Sequence, residues 1–182
     1  MSDVLPDYLA PGLRVVICGT AVGRASARHG GYYAGPGNEF WEYLHRSGLT
    51  NVRLDPTTDQ RVLEFGIGLT DLVKSMSASS DRELSDFDVQ GLARKIGKYR
   101  PTWLAFHGKT AAKEVARQSG LGGYIQLGPQ PWRVAGRPVF VLPSASGANR
   151  DASRLEGKSS RLAWFRDLAV LLDADDPAVS DG

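Results

Sequence analysis

Three short stretches of the chain are apolar at every position: Val15-Val16-Ile17-Cys18, Trp103-Leu104-Ala105-Phe106 and Val139-Phe140-Val141-Leu142. Each runs into glycine, His-Gly or proline. A strand with one wet face alternates apolar and polar residues, whereas an unbroken apolar run closed by a chain breaker suits a strand covered on both faces, as in a parallel sheet. Between these runs the period changes. Val89, Leu92, Ile96 and Tyr99 recur three and four apart, and Leu162, Phe165, Leu168 and Leu172 do nearly the same, so both stretches predict helices with one apolar stripe. A further helix is expected to open at Asn38, whose side chain can cap free amides. Glu39 and Glu42 would lie at the positive end of its dipole, with Trp41 and Leu44 on its inner face. Strands and helices thus alternate, which predicts a three-layer α/β/α fold around a central, mainly parallel sheet. Ligands of such a fold bind beyond the carboxyl ends of the strands.

Composition narrows this picture only a little. With 182 residues, 42% of them hydrophobic, the chain is expected to form a single domain over 1–182, with loose ends at 1–10 and at the acidic stretch 173–182. A formal charge of +2 suits a local contact with nucleic acid rather than a histone-like coat. One cysteine, Cys18, excludes an intramolecular disulfide framework. No apolar run approaches the roughly 20 residues of a membrane helix, and the opening MSDVLPDYLAPGL lacks the charged-then-apolar layout of a secretory signal. An intracellular, cytoplasmic monomer is therefore expected. His29, His45 and His107 show no metal-ligand spacing, so no metal is predicted, and His107, just past a buried run, reads as a packed or hydrogen-bonded histidine.

Candidate chemistry lies in three loops. The first apolar run enters Gly19-Thr20-Ala21-Val22-Gly23, a glycine-bracketed turn that lets backbone amides approach a ligand. Gly30-Gly31-Tyr32-Tyr33-Ala34-Gly35-Pro36-Gly37-Asn38 places two tyrosines just before a helix, and Pro143-Ser144-Ala145-Ser146-Gly147-Ala148-Asn149-Arg150 follows the last run with small residues ending in a cation. Arg24, Arg28 and His29 after the first turn, with Arg150, Arg154, Lys158 and Arg161 after the last run, would converge on one rim suited to phosphates. The first turn alone also fits a nucleotide enzyme, but the chain lacks the Lys-Ser ending of a P-loop and an acidic residue placed for a ribose.

Together, and in this order, the segments resemble the mismatch-specific uracil and thymine DNA glycosylases, the second family of the uracil-DNA glycosylase superfamily. The resemblance rests on Ala10 to Val16, the first turn, Tyr33-Ala34-Gly35-Pro36-Gly37-Asn38-Glu39-Phe40-Trp41, Gly66-Ile67-Gly68-Leu69-Thr70-Asp71-Leu72-Val73, and Leu142-Pro143-Ser144. It implies a DNA-repair enzyme that flips uracil, or a related mispaired base, out of double-stranded DNA. The enzyme would hydrolyse the N-glycosidic bond without metal or cofactor, leaving an abasic site. By the same resemblance Thr20, Ala21, Val22, Gly23, Tyr33 and Asn38 form the base pocket. Tyr33 would stack on the base, Thr20 and the amides of Val22 and Gly23 would hold its carbonyls, and Asn38 would read its edge besides capping the helix. Ser144 and Ser146 would hold phosphates, Gly147, Ala148, Asn149 and Arg150 stand in the place of the wedge that enters the duplex, and Arg154 joins the phosphate contacts.

One position departs from the pattern. The best-known members read Gly-Ile-Asn-Pro-Gly in the first turn and use its asparagine to place the attacking water; here that place is Ala21. An active enzyme then needs another polar group, and Asp71, where relatives carry Lys or Asn, is the candidate catalytic residue. A carboxylate beside the sugar can orient or deprotonate water and steady the oxocarbenium-like charge of the transition state. The competing assignment is that Asp71 caps a helix beginning near Leu72. The competing function is a weak or silent module that binds damaged DNA. The preferred lesion stays open among uracil, thymine, hypoxanthine, xanthine and alkylated cytosines.

Overall fold

The apolar runs become the middle of the sheet: β1 (Val15–Gly23), β3 (Trp103–His107) and β5 (Arg137–Leu142). The computed structural model describes residues 2–79, 81–147 and 155–176. Two more strands, β2 (Ile67–Ala78) and β4 (Gly128–Val134), complete a five-stranded sheet in the order β2-β1-β3-β5-β4. β1 lies parallel to β2 and β3, and β3 to β5; β4 alone is antiparallel. Among the described residues five α-helices flank the sheet: α1 (Arg24–His29), α2 (Phe40–Arg46), α3 (Val89–Tyr99), α4 (Lys109–Gln118) and α5 (Arg161–Ala174). The expected mainly parallel α/β architecture is therefore present.

The helical stripes are buried as the spacing requires. Leu92 and Ile96 of α3 face the core, and Asp88 caps that helix by accepting the Gly91 amide at 2.8 Å. Leu162, Phe165, Leu168 and Leu172 of α5 are buried, and Ser160 caps it through the Ala163 amide at 3.2 Å. α2 packs on α5, with Tyr43 and Phe165 ring centroids 5.2 Å apart, while α3 packs on α4.

Three expectations are corrected. Asp71 caps no helix: Asp71 and Leu72 lie inside β2, among buried Ile67, Leu69 and Val73. The stretch Gly19–Gly23 is not a turn but the end of β1, still paired to β2, with a register break where Ala21 faces Val73 and the next residue, Val22, faces Ser77. Nor is the N-terminal segment loose. Tyr8 forms an antiparallel bridge with Leu69 through two 2.9 Å backbone bonds, the Val4 amide donates to Lys74 O, and Leu5 is buried. This segment covers the free edge of β2, so backbone groups that water would otherwise satisfy are paired inside the protein. At the other end Asp173 and Ala174 belong to α5 and Asp175 accepts a 2.6 Å bond from the Trp103 indole; residues 177–182 lie outside the described residues.

Candidate active site

β1 has β2 on one side and β3 on the other, so the chain leaves the middle of the sheet in opposite directions and opens a crevice at the strands' carboxyl ends. A cavity of about 840 Å³ occupies it. Thr20, Ala21, Val22, Gly23, Tyr33, Asn38, Asp71, Ser144 and Ser146 all line this cavity, although they come from four separate stretches of chain. Ser26, Arg82, His107, Lys109 and Thr110 line it as well. The sequence marks His107 only as a packed residue, and Arg82 and Lys109 carry no motif that marks them. Among the described residues no group of three or more His, Cys, Asp or Glu side chains is placed to hold a metal.

Asp71 sits opposite Gly19 in the β1–β2 register and is only 5% exposed. Its carboxylate leans across the glycine: a Cβ on Gly19 would lie 2.5 Å from Asp71 Oδ1 and 3.3 Å from the Tyr33 hydroxyl. Glycine at 19 is what allows the carboxylate to occupy that space. Burial pushes the Asp71 carboxyl up to about 7; Lys74 acts against this, the negative charge of Asp7 adds to it, and Lys95 opposes it again. These three form a cluster behind the site, with Lys74 at 2.9 Å and Lys95 at 2.6 Å from Asp7, which also accepts the Thr70 hydroxyl at 2.7 Å. Asp71 Oδ2 has no hydrogen-bond partner among the described residues.

Tyr33 is held in a left-handed backbone conformation, φ 55°, which a tyrosine adopts only when its surroundings enforce it. They do so from both sides. The Tyr32 amide donates to Asp59 Oδ2 at 2.9 Å, the Trp41 indole donates to Tyr32 O at 3.0 Å, and the Ala34 amide donates to Ser26 Oγ at 2.9 Å. The Tyr33 ring stacks on Phe40 at 3.8 Å between centroids and meets His107 edge-on at 4.7 Å. His107 Nε2 accepts the Ala145 amide at 2.9 Å, which assigns the ring proton to Nδ1. Burial, helped by the charge of Arg161, drives the His107 pKa down to about 3, so the ring is neutral at physiological pH. The expected packed, hydrogen-bonded histidine is what the structure contains.

The expected cap is displaced by one residue: Glu39, with no capping side-chain bond, precedes α2, while Asn38 stands one position earlier, its Oδ1 accepting the Phe40 amide at 3.0 Å, and lines the cavity. The loop after β5 is clasped to this segment. Glu39 N donates to Ala145 O at 2.9 Å, and Gly147 packs so closely that a Cβ there would come 3.0 Å from the carbonyl oxygens of Pro36 and Gly37. Arg161, expected on the rim, instead turns inward: it donates to Ser144 O at 3.0 Å and Ser146 O at 2.9 Å and pairs with Glu39. Two other expected rim cations are also paired, Arg24 with Glu83 at 2.8 Å and Lys158 with Asp167 at 2.6 Å. Ala148, Asn149, Arg150 and Arg154 lie outside the described residues.

Fold and site together define an α/β protein with a sheet-end pocket that has an aromatic ring in its wall and a buried carboxylate beside it. The chain belongs to the uracil DNA glycosylase superfamily, whose family model matches residues 6–169. It is similar to the solution structure of a "putative Uracil DNA glycosylase" from Methanosarcina acetivorans, at 27% identity and a TM-score of 0.56. That match covers 91% of this chain and 96% of the other. Superfamily membership and the solved relative both support DNA glycosylase function.

Proposed function

We propose that the protein is a monofunctional DNA glycosylase of the mismatch-specific type, which takes uracil or a related deaminated base from double-stranded DNA into the cavity and hydrolyses its N-glycosidic bond. The observation that carries this reading is the Asp71 carboxylate in the cavity wall, beside Tyr33 and opposite Gly19. Breaking the bond leaves positive charge on the sugar and sends the base away as an anion, so an anion near C1′ stabilises the transition state and takes the proton of the attacking water. Ala21 cannot hold that water with its side chain, and Asp71 supplies the missing group. Tyr33, with one ring face on Phe40, has its other face to offer to a flipped base.

Single-turnover cleavage of a uracil–guanine duplex tests the assignment. Asp71→Ala is expected to lower the chemical rate by several orders of magnitude while duplex affinity stays within about twofold, with Asp71→Asn between, because an amide can orient water but not deprotonate it. A folded Asp71→Ala protein that cuts at the wild-type rate would remove Asp71 from catalysis. The alanine at 21 also favours a second reading, a silent module that binds damaged DNA; wild-type protein that binds the duplex but yields no product at saturating enzyme would establish it.

A further inference from the structure

We propose that the Tyr33 hydroxyl is a second holder of the attacking water, so that Tyr33 serves the base through its ring and the chemical step through its oxygen. The inference rests on the assignment of Asp71 above. Three observations carry it. The hydroxyl is buried and has no hydrogen-bond partner among the described residues, as is true of Asp71 Oδ2. Both side chains crowd one small space, since a single Cβ position on Gly19 is 2.5 Å from Asp71 Oδ1 and 3.3 Å from the Tyr33 oxygen. Finally, the ring cannot swing the oxygen away, because Phe40 covers one face and His107 meets it edge-on. Phenylalanine would fill the same volume without burying an unsatisfied hydroxyl, so the oxygen calls for a function.

The chemistry closes with the groups present. The water oxygen attacks C1′ with one lone pair and accepts the Tyr33 O–H with the other. One of its hydrogens points at Asp71. As the O–C1′ bond forms and the C1′–N bond breaks, the electron pair of the latter leaves with the base and the water's proton passes to the Asp71 carboxylate. Tyr33 keeps its own proton throughout, since burial and the nearby Asp71 charge hold its phenol well above the ordinary range. Tyr33 is in this respect a positioning residue for water, in the role that Ala21 leaves unfilled.

Tyr33→Phe separates the two uses of the side chain. Single-turnover cleavage of the uracil–guanine duplex is expected to slow by about 10- to 100-fold, the scale of misplacing a reacting group, with duplex affinity unchanged because the ring remains. In the DNA-free protein, NMR titration of the Asp71 side-chain carbon should give a raised pKa in the variant, since the hydroxyl favours the charged carboxylate through the shared water. The other ionisable groups around Asp71, namely Asp7, Cys18, Tyr32, Lys74 and Lys95, are untouched by the change, so the shift reads the hydroxyl alone. A merely structural tyrosine would leave this titration where it is. Either an unchanged rate or an unmoved titration overturns the proposal. Should Asp71→Ala be inactive beside a fully active Tyr33→Phe, only the water-holding role falls; a wild-type protein that cuts nothing overturns the Asp71 assignment as well.

Discussion

At the scale of single residues, burying Asp71 costs the native state stability, and the same burial suits the carboxyl to its proposed role as a base. A carboxyl that ionises near 3.8 in the unfolded chain keeps its proton to about 7 in the folded protein. Between those values the unfolded state gains charge freely while the native state resists it, so stability falls as pH rises from about 4 to 7 and then levels off. Asp71→Asn removes that penalty. The variant is expected to be more stable than wild type by a few kcal/mol at pH 8, with the gap closing toward pH 4; urea melts at several pH values measure it, and coincident melts at pH 8 would contradict a buried charge. The same ionisation should appear in the chemistry, as a single-turnover rate that climbs with pH through about 7. Gly19→Ala tests the geometry instead. Its methyl group would fall 2.5 Å from Asp71 Oδ1, well inside the usual approach of a Cβ, so the carboxylate must move, and cleavage should drop at least 100-fold for only about 1–3 kcal/mol of stability. A normal rate in that variant would mean that the observed carboxylate position is irrelevant to cleavage.

Among elements, the loop after β5 depends on the first residue of α5. Arg161 lies 12% exposed and holds the carbonyls of Ser144 and Ser146 while pairing with Glu39 just before α2, so one guanidinium joins the loop to the segment that carries Tyr33. Arg161→Met keeps the aliphatic stem but abandons those acceptors. A loss of about 1–3 kcal/mol in urea melts is expected, together with weaker binding to a uracil duplex, because Ser144 and Ser146 lose their fixed place. Full affinity in the destabilised variant would show that DNA does not use this loop. His107 adds a dependence of opposite sign to that of Asp71. Its pKa falls from 6.5 to about 3 on folding, so the native state loses stability as pH drops through that window, where protonation would disrupt the bond from Ala145.

For the whole molecule, a net charge of +2 supplies little long-range attraction, and affinity for DNA must come from cations gathered near the crevice. With Arg161, Arg24 and Lys158 engaged in ion pairs, the remaining candidates for phosphate contact include Arg28, the cavity-lining Arg82, Arg150 and Arg154. Replacing Arg150 or Arg154 with alanine should reduce the slope of log affinity against log salt by about one, read from titrations across a salt series. Unaltered slopes in both would put the duplex on another face.

How much of this was legible depended on whether neighbours in sequence or neighbours in space set each feature. β1, β3 and β5 could be read because two-sided burial demands four consecutive apolar residues, and α3 and α5 because one-sided burial imposes a helical period. β4 is hidden in the sequence because its Pro129 and Pro131 argue against a strand, a composition tolerable only at the sheet edge it occupies. In β2 the polar pair Thr70-Asp71 imitates a helix cap, which is why capping competes with catalysis in the sequence. The pair is stable in a strand only because Asp7, from the N-terminal segment, accepts the threonine and the cavity receives the aspartate. The residue types of the pocket were thus determined by the sequence through its resemblance and its gap at Ala21. The raised Asp71 pKa, the fixed Tyr33 hydroxyl and the inward turn of Arg161 were decided by the tertiary structure alone, because burial and hydrogen bonding belong to groups that meet only after the chain has folded.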